Sequence, residues 1–195
     1  MSLEERKKRM AENKVAKQML AFAQQSTWQK AHEELTSIAK ASLSTDDAIL
    51  HGQIAGALMA CGHAVDADCT PEFEWSVLAK KISVDDTLTT FYGTHNISTL
   101  DKHLVDDSIA DVEASLYEWL LNFTNLKTIM PDGIGFDNEK INLATHLAKM
   151  MFDLAKPTQV WKVDMSPTNW YACYWHDFAF ENDNLVFMLH LGWSD

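Results

Sequence analysis

The stretch whose reading decides the fold is WYACYWHDFAFENDNLVFMLHLGW, residues 170–193. Its apolar side chains recur with a period of two, and ENDN (181–184) interrupts them with turn chemistry. It therefore reads as two strands, Trp170–Phe180 and Leu185–Trp193, folded back on each other. Upstream, Gln159–Met165 alternates in the same way and is joined to them by SPTN, residues 166–169. The three runs predict an antiparallel three-stranded β-meander over 157–195. With Asn182-Asp183 at the hairpin tip, Phe178 faces Phe187, His176 faces Leu189 and Trp175 faces His190.

That register sorts the side chains onto two faces. Trp170, Tyr174, His176, Phe178, Phe180, Leu185, Phe187, Leu189 and Leu191 form a core face for packing on helices. Tyr171, Cys173, Trp175, Asp177, Val186, Met188 and His190 form the other, joined by Trp161 and Val163 of the first strand. A second face this apolar needs either a cover of helices or a partner. Tyr171, Trp175, Trp161, Met188 and His190 are on this ground the candidate partner-binding residues.

Before residue 157 the period is helical. Strong helix formers run from Ser2 to about Ala41, with the first dozen residues almost wholly polar. Ser44 caps a second helix that stops near Gly62. Pro71 opens a third, through Trp75 and Leu78 to Lys81, and Ser98 or Thr99 caps a short one from Leu100 to about Asp106. Asp107 starts a helix carrying Val112, Leu116, Trp119, Leu120 and Phe123. After the loop MPDGIGFDNE, a last one runs from Glu139 to Leu154. The expectation is thus a single α+β domain over 1–195: about five helices in a mainly helical part, 1–156, with the three-stranded meander packed on them.

Within the second helix, HGQIAGALMACGH (51–63) has a histidine at each end. Twelve residues of helix separate the rings by about 18 Å, too far to share a metal. The spacing instead makes a stripe of small residues, Ala48, Gly52, Ala55, Gly56 and Ala60, which predicts close packing against another helix. LHGQIAGAL resembles, over about ten residues, a helix of the acidic bacterial proteins called YgfB-like. Those are all-helical, whereas this chain ends in strands and holds no second matching motif, so the resemblance is not adopted.

The turn HAVDADC (63–69) places His63, Asp66, Asp68 and Cys69 within seven residues, all of metal-ligand type. It lacks the glycine and distal glutamate of an EF-hand and the paired ligands of a structural zinc site. His63, Asp66 and Asp68 remain the metal candidates. In CYWH, Cys173 and His176 stand three apart on a strand and point to opposite faces. The chain has no Gly-rich phosphate loop, GxSxG elbow or HExxH.

Charge narrows the function classes. The formal net charge is −12, and residues 1–17 hold six of the sixteen basic residues. The rest of the chain, with ten bases against 25 acids, repels nucleic-acid phosphates and anionic lipid. A basic protein partner is the natural complement. Three cysteines and no secretory signal point to a reducing, cytoplasmic setting. The most apolar stretch, Ala48–Cys61, is shorter than the roughly 20 residues of a membrane span. The sequence therefore predicts an acidic, cytoplasmic, non-enzymatic protein-binding protein without a cofactor, of the inhibitor or immunity-antagonist kind. The alternatives are a metal-dependent hydrolase built on the His/Asp turn and a homodimer joined through the second sheet face.

Overall fold

The structure, a computed structural model, describes residues 27, 29–63, 70–93, 97–122, 136–167, 172 and 174–194. Helix α1 covers 29–42. It is followed by α2 (Thr45–His63), β1 (Thr70–Ala79), α3 (Val84–Tyr92), β2 (Ile97–Leu104), α4 (Ser108–Asn122), α5 (Phe136–Ala155), β3 (Gln159–Pro167), β4 (Tyr174–Glu181) and β5 (Leu185–Ser194). The strands form one five-stranded sheet of order β1-β5-β4-β3-β2, and every pairing in it is antiparallel.

The expected three-stranded meander is therefore the middle of a larger sheet. Two segments expected to be helices, 71–81 and 100–106, are its edge strands. In β1 the sequence TPEFEWSVLA sets Phe73, Trp75 and Val77 on one side and Glu72, Glu74 and Ser76 on the other, a pleat pattern that a helix would scatter. Pro71, read as the start of a helix, sits near the beginning of an edge strand, where a missing N–H is tolerated. In β2, Leu100 and Lys102 pair with Met165 and Val163, and Ser98 and Thr99 lie within the strand instead of capping a helix.

Elsewhere local signals hold. Ser44 Oγ accepts the amide of Asp47 at 3.1 Å and donates to its carboxylate at 2.7 Å, so both ends of the cap are satisfied. The helices expected from Asp107 and over Glu139 to Leu154 are α4 and α5. One helix was not expected. α3 is rich in threonine and aspartate, poor helix formers, but Ser83 caps it through the amide of Asp86. The hydroxyls of Thr87 and Thr90 bond back to the carbonyls of Ser83 and Asp86, both at 2.9 Å.

The layers follow from these elements. On one face of the sheet Phe73, Trp75, Val77, Val160, Phe178, Phe180, Phe187, Leu189 and Leu191 meet Ile54 and Leu58 of α2, Leu116 and Trp119 of α4, and Leu147 and Met151 of α5. On the other, Leu78, Val163, Met165, Ala179, Val186 and Met188 meet Val84, Leu88 and Tyr92 of α3, with Leu35 of α1 and Trp161 and Trp175 packed alongside. The second apolar face is thus covered, by the helix that β1 and β2 use to connect opposite edges of the sheet. A chain of polar contacts fastens that layer at one end. Lys80 Nζ lies 2.6 Å from Glu181, Trp161 Nε1 donates to the same carboxylate at 2.8 Å, and Lys102 stands 3.7 Å over the Trp161 ring and 3.5 Å from Asp85 at the start of α3. Burial opposes the charge on Glu181, but the hydrogen bonds from Lys80 and Trp161 outweigh it and hold its pKa below the usual carboxylate range.

The β4–β5 register differs from the expected one by two residues. Phe178 pairs with Leu189 and Trp175 with Gly192. Asn182 is the cause: its Oδ1 accepts the amides of Asn184 and Leu185 at 3.0 and 2.8 Å, which moves the tip to Asp183-Asn184. An even slip leaves every side chain on its face.

The small-residue stripe of α2 also differs from expectation. The helix buries Ile54, Leu58 and Cys61, while Ala48, Gly52, Gly56 and Ala60 lie on its exposed side. Among the described residues nothing comes within 4 Å of a Cβ built at Gly52 or Gly56. Among the described residues these glycines therefore cost helix stability without a packing return. Replacing Gly56 with Ala should raise the unfolding free energy by about 0.5 to 1 kcal/mol, read from urea denaturation midpoints; a loss of stability would show that the stripe is packed.

Candidate functional site

The site begins with a charge buried in the sheet. Asp177, on β4, is 1 % exposed, and among the described residues two side chains donate to its carboxylate. Tyr92, the last residue of α3, donates its hydroxyl at 2.6 Å, and His190 of β5, directly opposite Asp177 in the ladder, donates Nδ1–H at 2.6 Å. These bonds supply what water would otherwise give the carboxylate.

His190 is in turn held by what surrounds it. Burial disfavours the charged ring, but the hydrogen bond and charge of Asp177, with Glu74 and Glu72 behind them, prevail and raise its pKa above the ordinary value. The ring leans over Gly192: a Cβ there would stand 2.5 Å from His190 Nε2 and 2.7 Å from its Cε1. Glycine at 192 is a requirement of this close approach.

His190 also lines a groove of about 420 Å³ with Leu58, Met59, Gly62 and His63 at the end of α2 and the five residues Thr70–Glu74 of β1. Phe73 and the α2 residues belong to one side of the sheet; Glu72, Glu74 and His190 belong to the other. Both glutamates are exposed. Glu72 accepts from Ser194 Oγ at 2.6 Å and Glu74 accepts from Ser76 Oγ, and among the described residues no lysine or arginine pairs with either.

The candidates read from the sequence are distributed as follows. Met188 and His190 are buried, and Trp161 and Trp175 are half-buried against the layer formed by α3. Tyr171 lies outside the described residues, as do Asp66, Asp68, Cys69 and Cys173. His63 ends α2 and meets His190 only as a fellow wall of the groove. Among the described residues no three His, Cys, Asp or Glu side chains group closely enough to hold a metal ion. Glu72, Glu74, Asp177 and Tyr92 were not singled out by sequence, although the alternation in EFEWSV carried the signal for the first two.

Comparison with protein-family models, with curated proteins and with solved structures finds no match for the chain. Among the described residues no helix is long and apolar enough to cross a membrane.

The Asp177–His190 pair makes a signed prediction. A histidine whose folded pKa exceeds its unfolded value of about 6.5 contributes stability that is complete below that value and is lost as pH rises through the folded pKa. The stability difference between the protein and its His190→Gln variant should accordingly shrink on going from pH 6 to pH 9, in paired thermal melts. Gly192→Ala should cost about 1 to 3 kcal/mol and return the His190 titration, followed by NMR, toward its ordinary value. An unchanged titration in that variant would mean that the ring does not depend on Gly192.

Proposed function

We propose that the chain is a non-enzymatic, cytoplasmic binding protein that recognises a basic protein, in the manner of an inhibitor or an immunity-type antagonist. The observation that carries this reading is the groove beside β1. It combines an apolar wall, Met59, Pro71 and Phe73, with two exposed carboxylates that have no cationic partner among the described residues. Such a combination favours a ligand that brings both apolar area and positive charge. The overall charge of −12 adds long-range attraction for the same class of partner. Cys61, a free buried thiol whose pKa burial pushes up, fits a reducing compartment.

Reversing the groove charges tests it. The double substitution Glu72→Lys with Glu74→Lys should weaken capture of lysine-rich peptides and small basic proteins by about tenfold or more at low salt, in protein shown to be folded by circular dichroism. Wild-type binding should also weaken as salt is raised. Capture that is indifferent to both salt and the substitutions would reject the reading.

A further inference from the structure

The groove has a geometry that says more than its charge. α2 packs on the sheet face that holds Phe73, whereas Glu72, Glu74 and His190 lie on the opposite face. A cavity walled from both faces must pass around the outer edge of β1, the edge strand of the sheet. Whatever fills it lies along that strand. We propose that the outer edge of β1 accepts an added strand: an extended segment of a basic partner, with Lys or Arg at alternate positions, running beside Thr70–Glu74. This rests on the reading of the chain as a binder of basic proteins and specifies how the partner is held.

Three features favour this occupant. β1 pairs with β5 over ten consecutive residues without a bulge, so the strand is firmly supported, and among the described residues its other edge is unpaired. An edge strand presents unpaired backbone N–H and C=O groups at every second residue, the template used when a peptide extends a sheet. Glu72 and Glu74, two residues apart, project to the same side at a spacing of about 6.6 Å, the repeat of alternate side chains on an incoming strand. Opposite charges placed across neighbouring strands attract, and like charges repel. The carboxylates that would receive lysines thus discourage a second copy of this chain from pairing through the same edge.

The other edge of the sheet behaves differently. On β2, Lys102 is engaged by Asp85 and the Trp161 ring, and His103 lies 3.4 Å from Asp164 of β3. Lys102 and His103 thus each face an acid within the fold, while Asp101 of the same strand is exposed and forms no ion pair among the described residues. On β1, Glu72 and Glu74 accept from hydroxyls and lie near His190, but among the described residues neither pairs with a lysine or arginine, which leaves them available to a cation.

A short synthetic peptide alternating lysine with threonine and valine is the probe, used on the full chain at low salt. We expect it to bind, to slow hydrogen exchange at amides of β1, and to lose about tenfold or more in affinity when its backbone is N-methylated at one of the two alternate sets of residues, the set whose N–H groups face β1, and much less at the other. Glu72→Gln with Glu74→Gln should weaken it comparably without altering the melting curve. Equal affinity for the methylated peptides with unchanged exchange in β1 would overturn strand addition while leaving the attraction to basic partners in place. Failure of every lysine-rich probe to bind would overturn both. A chain that is dimeric by light scattering, with its β1 amides already protected, would make a second copy the occupant and also overturn the proposal.

Discussion

A buried carboxylate in the middle of the sheet, that of Asp177, constrains the rest of this structure. An uncompensated charge at the position of Asp177 would cost several kcal/mol, roughly 3 to 5 where one partner of a buried pair is removed. Among the described residues its side-chain donors come from two elements far apart in the chain, the C-terminal end of α3 and the middle of β5. The helix must therefore lie across the sheet with Tyr92 over β4. That placement in turn lets Val84 and Leu88 cover Val186 and Met188. The tight seat of His190 over Gly192 belongs to the same arrangement, since a side chain at 192 would push away the second donor.

Much of the fold was legible because long periodic segments state their own geometry. The alternation in Gln159–Met165 and in residues 174–193 gave β3, β4 and β5, and Ser44 with Asp47 announced α2. The face assignment survived a wrong hairpin tip because strands repeat every two residues and the slip was by two. The edge strands were lost for a local reason. Pro71 and Ser98-Thr99 are residues that open helices, and only pairing partners distant in sequence, Trp193 for Pro71 and Ser166 for Thr99, override them. α3 was lost for the converse reason, since its threonines are weak helix formers that the fold stabilises by capping and burial.

The same misreading hid the candidate site. On a helix Glu72 and Glu74 would stand about 200° apart and could not act together; on a strand they share a face. His63 and His190 looked unrelated in sequence, one at the end of an apolar helix and the other in a strand, yet they wall one groove. Periodicity alone could not disclose this, because the groove exists only where α2, β1 and β5 converge. The candidate surface on the other side of the meander changed character once α3 was in place: Met188, at 1 % exposure, is core.

The pairing of β1 with β5 has a consequence for the order in which the chain acquires structure. Among the described strands β1 is synthesised first, and its hydrogen-bonding partner in the sheet is synthesised last. Until the ribosome has delivered residues 185–194, Trp75 and Val77 have no neighbouring strand to lie against, while Asp177 lacks His190. The sheet closes from its late end, a long-range event of the kind that slows folding and leaves apolar chain exposed during translation. Like charges on that waiting strand, Glu72 and Glu74, disfavour its pairing edge to edge with a second copy of itself.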